Sequence, residues 1–280
     1  RCFQVKRDWS VKEVITNVRS AHPHRPVSGF FTESPANPTM DLYSIRKAKK
    51  IAVALESEGQ FVPVIMDNTY LGPILSPQHK NGADLIIYSL TKNIAGHSDV
   101  IAGAVTGNAE LIGRIKKART FIGGILGPMD SWLILRSLET YTIRIKAQED
   151  NTRKVAEFLK THPAVEEIRY LGNIAGWNPA QQVIFSEEYS GIGSMIALYI
   201  KGGEREAFNV LDHIEVFKLG VSLGSTESLA EHPYSMTHAK VDDDLKEEIG
   251  ITNSLIRLSI GVEDAEDLIH DLNTALNRII

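Results

Sequence analysis

The 280 residues suffice for one large hydrophobic core or two smaller ones, and a composition of 43% hydrophobic and 23% charged residues excludes a chain disordered by default. Against 35 Asp and Glu there are 30 Lys and Arg, a formal net charge of −5 that supplies no broad basic surface for a nucleic-acid backbone. The single cysteine, Cys2, excludes an internal disulfide framework and fits a reducing cytoplasm, and no apolar run approaches the roughly 20 residues that cross a bilayer.

Arg1 to Lys6 has no helix cap or turn, and Phe3 alternates with Val5 like the middle or end of a strand, so the sequence reads as beginning inside a longer polypeptide. Ser10-Val-Lys-Glu13 is a capping-box signature, and Val11, Val14, Ile15 and Val18 at helical spacing predict a short amphipathic helix. Val27 to Thr32 reads as a strand ended by Pro35 and Pro38, whose missing N–H groups stop ladder and helix alike. Leu42, Ile45, Ala48, Ala52 and Leu55 form a helical stripe closed by Gly59. Val62 to Met66 and Leu85 to Tyr88 are short, apolar and partly β-branched, the pattern of buried strands. Strand, helix and strand make a βαβ unit.

Val100 to Val105 is small and apolar, and Leu111, Ile112, Ile115 and Ala118 mark another helix. Phe121 to Pro128 is the most glycine-rich stretch, but it lacks the GxGxxG spacing and follows no strand, which argues against a dinucleotide site. Met129 to about His162 reads as one long helix with Trp132, Leu135, Leu138 and Ile145 on its buried side. The remainder is an α+β layer, with strands at Val165 to Tyr170, Ser194 to Ile200, Val216 to Val221 and Leu255 to Ile260, and helices at Glu204 to Asp212 and Glu263 to Ile279. Asp242-Asp-Asp244 reads as a solvated helix start. His232 and His238 lack the i, i+4 spacing that shares a helical face, so they read as structural and no metal site is expected.

Asp67 closes one strand and Lys92 leaves the end of the next, flanked by Ser89 and Thr91, and pockets in open α/β sheets lie outside such strand ends. Pyridoxal phosphate asks for a lysine to hold its aldehyde as a Schiff base, an acid to keep its ring nitrogen protonated and donors around its phosphate; Lys92, Asp67 and the Ser89/Thr91 pair supply one candidate each. The apolar strand before Lys92 would help by disfavouring the ammonium. Ser89-x-x-Lys92 also fits the SxxK motif of serine acyl-transfer enzymes, but their Ser-Asp-Asn and Lys-Thr-Gly partners are missing. A non-catalytic scaffold is a third reading. Arg257 interrupts an apolar strand, and a buried arginine needs an anion, either one of the 35 acids or a ligand carboxylate.

Asp67-Asn-Thr-Tyr70, Ser89-Leu-Thr-Lys92, Gly96-His-Ser-Asp99, Glu33-Ser-Pro-Ala-Asn-Pro38, Ser222-Leu-Gly224, Glu227-Ser-Leu-Ala-Glu-His-Pro233, Met236-Thr-His238 and Leu255 to Gly261 together resemble the Cys/Met metabolism family of pyridoxal-phosphate enzymes, from about Ser28 to the C-terminus. The resemblance implies an α/β fold of the type I, aspartate-aminotransferase-like class. Residues 1–143 would be a partial large domain and residues 144–280 an α+β C-terminal domain, joined by the long helix. It implies a lyase or transferase acting at the γ-carbon of a sulfur amino acid or activated homoserine, in a cytoplasmic homo-oligomer, a dimer of dimers with shared active sites. It places Asn37 near the cofactor's 3-oxygen and the substrate carboxylate. It also makes Arg257, assisted by Ser222, the clamp for that carboxylate rather than a residue that holds the fold.

The family's Tyr-x-Arg phosphate clamp, Gly-Met turn and ring-stacking aromatic are not found in this sequence. Members that process cystathionine often carry a glutamate just before Ser-Leu-Gly, where it can meet the substrate's distal ammonium. Val221 cannot do so. The expected substrate is therefore one-headed, methionine or an acylated homoserine. Methionine γ-lyase-like elimination leads, with O-acylhomoserine sulfhydrylase and cystathionine γ-synthase or γ-lyase as alternatives.

Overall fold

In the computed structural model, which describes residues 2–56 and 60–280, Ser10 and Glu13 cap helix α1 (Val11–Ala21) reciprocally, and Val14 and Val18 turn inward. Residues 2–6 form no strand. The Phe3 ring instead packs 6.2 Å from Trp9 and 6.3 Å from His22, so the apolar alternation is satisfied against a helix rather than a ladder.

Strands β1 (Phe30–Glu33), β2 (Val64–Asp67) and β3 (Leu85–Ser89) run parallel, with β4 (Gly103–Gly107) antiparallel on β3. Helix α2 (Ile45–Leu55) crosses from β1 to β2 and buries Ile45, Ala48, Ile51 and Ala52; the expected closing residue Gly59 lies outside the described residues. A short helix, α3 (Gly72–Leu75), lies between β2 and β3, and α4 (Ala109–Ile122) follows β4. Because the first three strands are parallel, their C-terminal ends emerge on one side of the sheet.

Helix α5 (Pro128–Leu159) passes unbroken through positions 143 and 144. Its later turns bury Tyr141, Ile145, Val155 and Leu159 as the periodicity requires. Its first turns do not: Trp132, Leu135 and Leu138, expected inside, are 54%, 64% and 46% exposed. Phe121 and Ile122 at the end of α4 likewise stand open at 94% and 80%. The reason is geometric: among the described residues only Ala95, Val100 and Ile134 form a buried cluster here, and nothing covers the opposite side.

The second sheet contains β5 (Val165–Arg169), β6 (Met195–Ile200), β7 (Lys218–Leu219), β8 (Leu229–Glu231) and β9 (Leu255–Ser259), in the order β5-β6-β9-β8-β7. Strands β6 and β9 are buried along their whole length. The intervening helices are α6 (Pro179–Glu188), α7 (Glu204–His213), α8 (Asp243–Glu248) and α9 (Ala265–Leu276). Strand β7 is shorter than predicted because side chains take its flanking backbone. The Asp271 carboxylate accepts from the N–H groups of Glu215, Val216 and Phe217, and Arg257 Nη2 donates to the carbonyls of Val221 and Ser222. Asp242 caps α8, and the buried His232 contacts Ser235 Oγ and the Asn253 carbonyl.

Candidate active site

Asp67 ends β2 directly opposite Glu33 of β1 and Ile87 of β3. Its Oδ1 accepts from the Thr69 N–H at 2.9 Å, and Thr69 Oγ1 accepts from the Ser89 N–H at 2.9 Å, tying the acid's loop to the strand that leads to the lysine. The Glu33 side chain keeps solvent contact, yet desolvation by its surroundings and the Asp67 carboxylate push its carboxyl up to about 7.

Beyond Ser89 the chain makes a π-type turn, Leu90–Ile94, in which Lys92 adopts φ −85° and ψ −132° and leaves helical geometry. The half-buried Lys92 Nζ donates to Ser222 Oγ at 2.9 Å. Burial, and then the charge of Arg257, lower the ammonium's pKa against an opposing pull from Glu231. Thr91 Oγ1 accepts from the Ala102 N–H at 2.9 Å and donates to the Ala102 carbonyl at 3.3 Å, so its hydroxyl is engaged with the segment that leads into β4.

Arg257 lies across from Glu231 in the antiparallel β8–β9 register, and its Nη1 sits 2.6 Å from Glu231 Oε1 with both side chains buried. Nη1 also donates to Asn37 Oδ1 at 3.3 Å, and Nη2 to the carbonyls of Val221 and Ser222 at 3.0 and 2.7 Å. Asn37 accepts in addition from the Tyr70 hydroxyl at 2.7 Å. Burial pushes the Glu231 carboxyl up, and Arg257, Thr237 and Lys92 work against that shift. Arg257 thus has a fold-holding partner that the sequence expectation denied it, because the pairing is set by register between two strands.

The structure brings Lys92, Ser222, Arg257 and Asn37 into one chain of contacts and sets Asp67 beside it through Thr69 and Ser89. Glu231, Tyr70 and Asn93 belong to the same assembly and were not singled out from the sequence. Asn93 Nδ2 donates to the carbonyls of Thr69 and Tyr70 at 3.2 and 2.8 Å. The available signal was the motifs themselves, since Tyr70 and Glu231 lie inside two of the quoted stretches and Asn93 directly follows Lys92.

An acid at the end of β2 and a lysine in the turn beyond the neighbouring parallel strand β3 are the arrangement that a pyridoxal-phosphate site of the type I fold class asks for. The donor set fits the aldehyde and the ring nitrogen; for the phosphate the Ser89 hydroxyl offers a hydrogen bond but no charge, and the Thr91 hydroxyl, expected beside it, is taken up by Ala102. The chain belongs to the Cys/Met metabolism PLP-dependent enzyme family, whose model matches residues 3–277. It is 37% identical over 251 residues to the L-methionine gamma-lyase of Fusobacterium nucleatum subsp. polymorphum, covering 89% of this chain and 62% of that one. It is 39% identical over 249 residues to the cystathionine beta-lyase of Lactococcus lactis subsp. cremoris, covering 89% and 63%. The crystal structure of cystathionine gamma synthase from Xanthomonas oryzae pv. oryzae superposes with a TM-score of 0.86 at 33% identity, covering 98% of this chain and 68% of that one. The chain therefore spans a little over three-fifths of the length of these curated relatives. Membership in this family sets aside the SxxK acyl-transfer reading. Among the described residues no helix is long and apolar enough to cross a membrane.

Proposed function

We propose that the chain supplies the lysine-bearing part of an enzyme that breaks the Cγ–S bond of methionine or a similar thioether, releasing the sulfur as a thiol. The observation that carries this reading is the contact chain Lys92–Ser222–Arg257–Asn37, which joins a base to a carboxylate-binding group. Lys92 and Asp67 would hold pyridoxal phosphate, with Ser89, Thr91 and Asn37 as its polar neighbours. When bound, that cofactor supplies an electron sink for the carbanion at the substrate's Cα.

The chain's own residues do the rest. Lys92 Nζ, whose ammonium burial and Arg257 disfavour, takes the proton from Cα. Arg257 binds the α-carboxylate through Nε, its one donor without a partner among the described residues, and Ser222 and Asn37 orient it. Val221, 52% exposed beside this group, presents an apolar side chain where a second ammonium would need an acid, which favours a one-headed substrate. The name of the Fusobacterium relative fits that choice, whereas that of the Lactococcus relative points to cystathionine, so Val221 carries the preference.

The functional unit is a cytoplasmic homo-oligomer, a dimer of dimers, in which another copy completes the phosphate site. Two observations support it: the uncharged Ser89/Thr91 pair, with the Thr91 hydroxyl taken up by Ala102, and the exposed apolar side chains of α4 and early α5. Residues 1–143 serve as the cofactor domain and 144–280 as the C-terminal domain. Mass spectrometry of products from methionine, cystathionine, O-acetylhomoserine and O-succinylhomoserine, with and without sulfide, tests the reading. Thiol release and 2-oxobutanoate from methionine support elimination. Sulfide-dependent products from the homoserine esters would reassign the chain to replacement, and cleavage of cystathionine alone would overturn the one-headed substrate.

A further inference from the structure

Arg144 of α5 is a buried guanidinium for which the described residues supply no carboxylate partner. Its donors go to backbone and one hydroxyl: Nη1 to the Asn93 carbonyl at 2.9 Å, Nη2 to the Ile94 and Ser137 carbonyls at 2.9 and 3.0 Å, and Nε to Thr140 Oγ1 at 3.2 Å. Asn93 and Ile94 are the two residues after Lys92, inside the π-type turn. That turn closes with Ala95 N–H on the Leu90 carbonyl and Gly96 N–H on the Lys92 carbonyl, both at 2.8 Å.

The turn and the arginine fit each other at a second point. Gly96 has φ +71°, and a Cβ there would collide with the Arg144 guanidinium. From the opposite side Asn93 is held by the carbonyls of Thr69 and Tyr70, and Gly224 lies so close that a Cβ there would strike the Asn93 side chain. The backbone carrying Lys92 is therefore gripped between α5, the Asp67 loop and the Ser222 loop.

We propose that Arg144 is a positioning residue for Lys92, pinning the two carbonyls that follow the lysine so that Nζ stays aimed at Ser222 and the carboxylate-binding group. This rests on the reading of Lys92 as the cofactor lysine. The role is geometric: a buried guanidinium bridges two carbonyls that the π-type turn leaves unpaired while its other donors hold Ser137 and Thr140, a spread over three nitrogens that the single nitrogen of a lysine does not reproduce.

The test compares wild type, Arg144→Lys and Thr140→Val in the full chain loaded with pyridoxal phosphate. Thr140→Val removes the Nε contact and the threonine's own 3.3 Å bond to the Ser137 carbonyl at an exposed helix position, leaving both Arg144 bonds to residues 93 and 94 in place, so it tests the idea even where Arg144→Lys fails to fold. Three readouts are taken: the pH midpoint of the visible cofactor band, kcat and KM separately, and hydrogen exchange at residues 93–96. Arg144→Lys should shift the midpoint, speed exchange at Ala95 and Gly96, and lower kcat by roughly 100-fold with KM little changed, the scale of a 1 Å misplacement. Thr140→Val should move all three the same way by less. A lower melting temperature with midpoint, exchange and kcat unmoved would mean that Arg144 only holds the fold, and overturns the proposal. Borohydride reduction of wild type keeps the two failures apart: a pyridoxyl group on another lysine removes the Lys92 reading, whereas the exchange at residues 93–96 needs no cofactor and judges Arg144 by itself.

Discussion

Arg257 Nη1 and Glu231 Oε1 lie 2.6 Å apart with 2% and 0% of their side chains exposed, so the guanidinium that faces the lysine is also half of a buried ion pair. Removing one member leaves the other charge buried and uncompensated. Arg257→Ala should therefore destabilise the fold by about 3–5 kcal/mol, beyond any effect on substrate. The paired change Arg257→Met with Glu231→Leu should recover most of that loss, since apolar replacements of both members remove the stranded charge. Urea unfolding of the single and paired variants checks this; an Arg257→Ala protein as stable as wild type would show that the pair does not hold the fold.

Lys92 is the lysine that should carry the cofactor, because its Nζ stands at a strand end against Ser222 with its ammonium disfavoured by burial and by Arg257. Borohydride reduction and peptide mapping should place a pyridoxyl group on Lys92, and Lys92→Ala should abolish it. An adduct mapped elsewhere would refute the assignment.

The positions of Asp67 at the end of β2 and Lys92 just beyond β3 were legible in the sequence because a short β-branched run ending in polar residues encodes both a strand and the place where it stops. The pairing of Glu231 with Arg257 was not, since Glu231 sits in the three-residue strand β8 and meets Arg257 only through the β8–β9 register, a long-range property. Trp132, Leu135 and Leu138 were assigned to a buried side because periodicity tells which residues share a helix face and nothing of what covers it. Strand β7 was overestimated because Asp271 and Arg257, distant in sequence, take its flanking backbone groups.

Glu33 should make stability pH-dependent in a definite direction. Its carboxyl is raised from 4.5 to about 7 by desolvation and by Asp67, so the folded chain holds the proton more tightly than the unfolded one. The contribution favours the fold below about 4.5 and is lost as pH rises to about 7. In cofactor-free protein, Glu33→Gln should flatten this part of the melting-temperature profile and gain on wild type at pH 8. Parallel profiles for the two proteins across that window would rule the effect out.

The exposed apolar side chains of Phe121 and Ile122 on α4 and of Trp132 and Leu135 on α5 should take part in association. Phe121→Asp and Leu135→Asp place charge there without touching the buried core, so folding should survive while sedimentation shifts to smaller species. Unchanged sedimentation of both variants would separate these side chains from assembly.

Substrate choice should be adjustable at Val221. Its side chain is 52% exposed, so a longer residue meets little steric resistance, while its carbonyl remains bound to Arg257 whatever side chain it carries. A glutamate there would bring a carboxylate within reach of a second ammonium on a two-headed substrate, and would set an unpaired negative charge beside the apolar tail of methionine. An exposed charge pair contributes modestly, so Val221→Glu should raise kcat/KM for cystathionine by only about fivefold, corresponding to roughly 1 kcal/mol. It should lower kcat/KM for methionine by a similar factor, because the new carboxylate must be partly desolvated as the thioether docks. The ratio of the two specificity constants is the quantity to measure, since it cancels any loss of active protein. A ratio equal to that of wild type would remove Val221 from substrate selection.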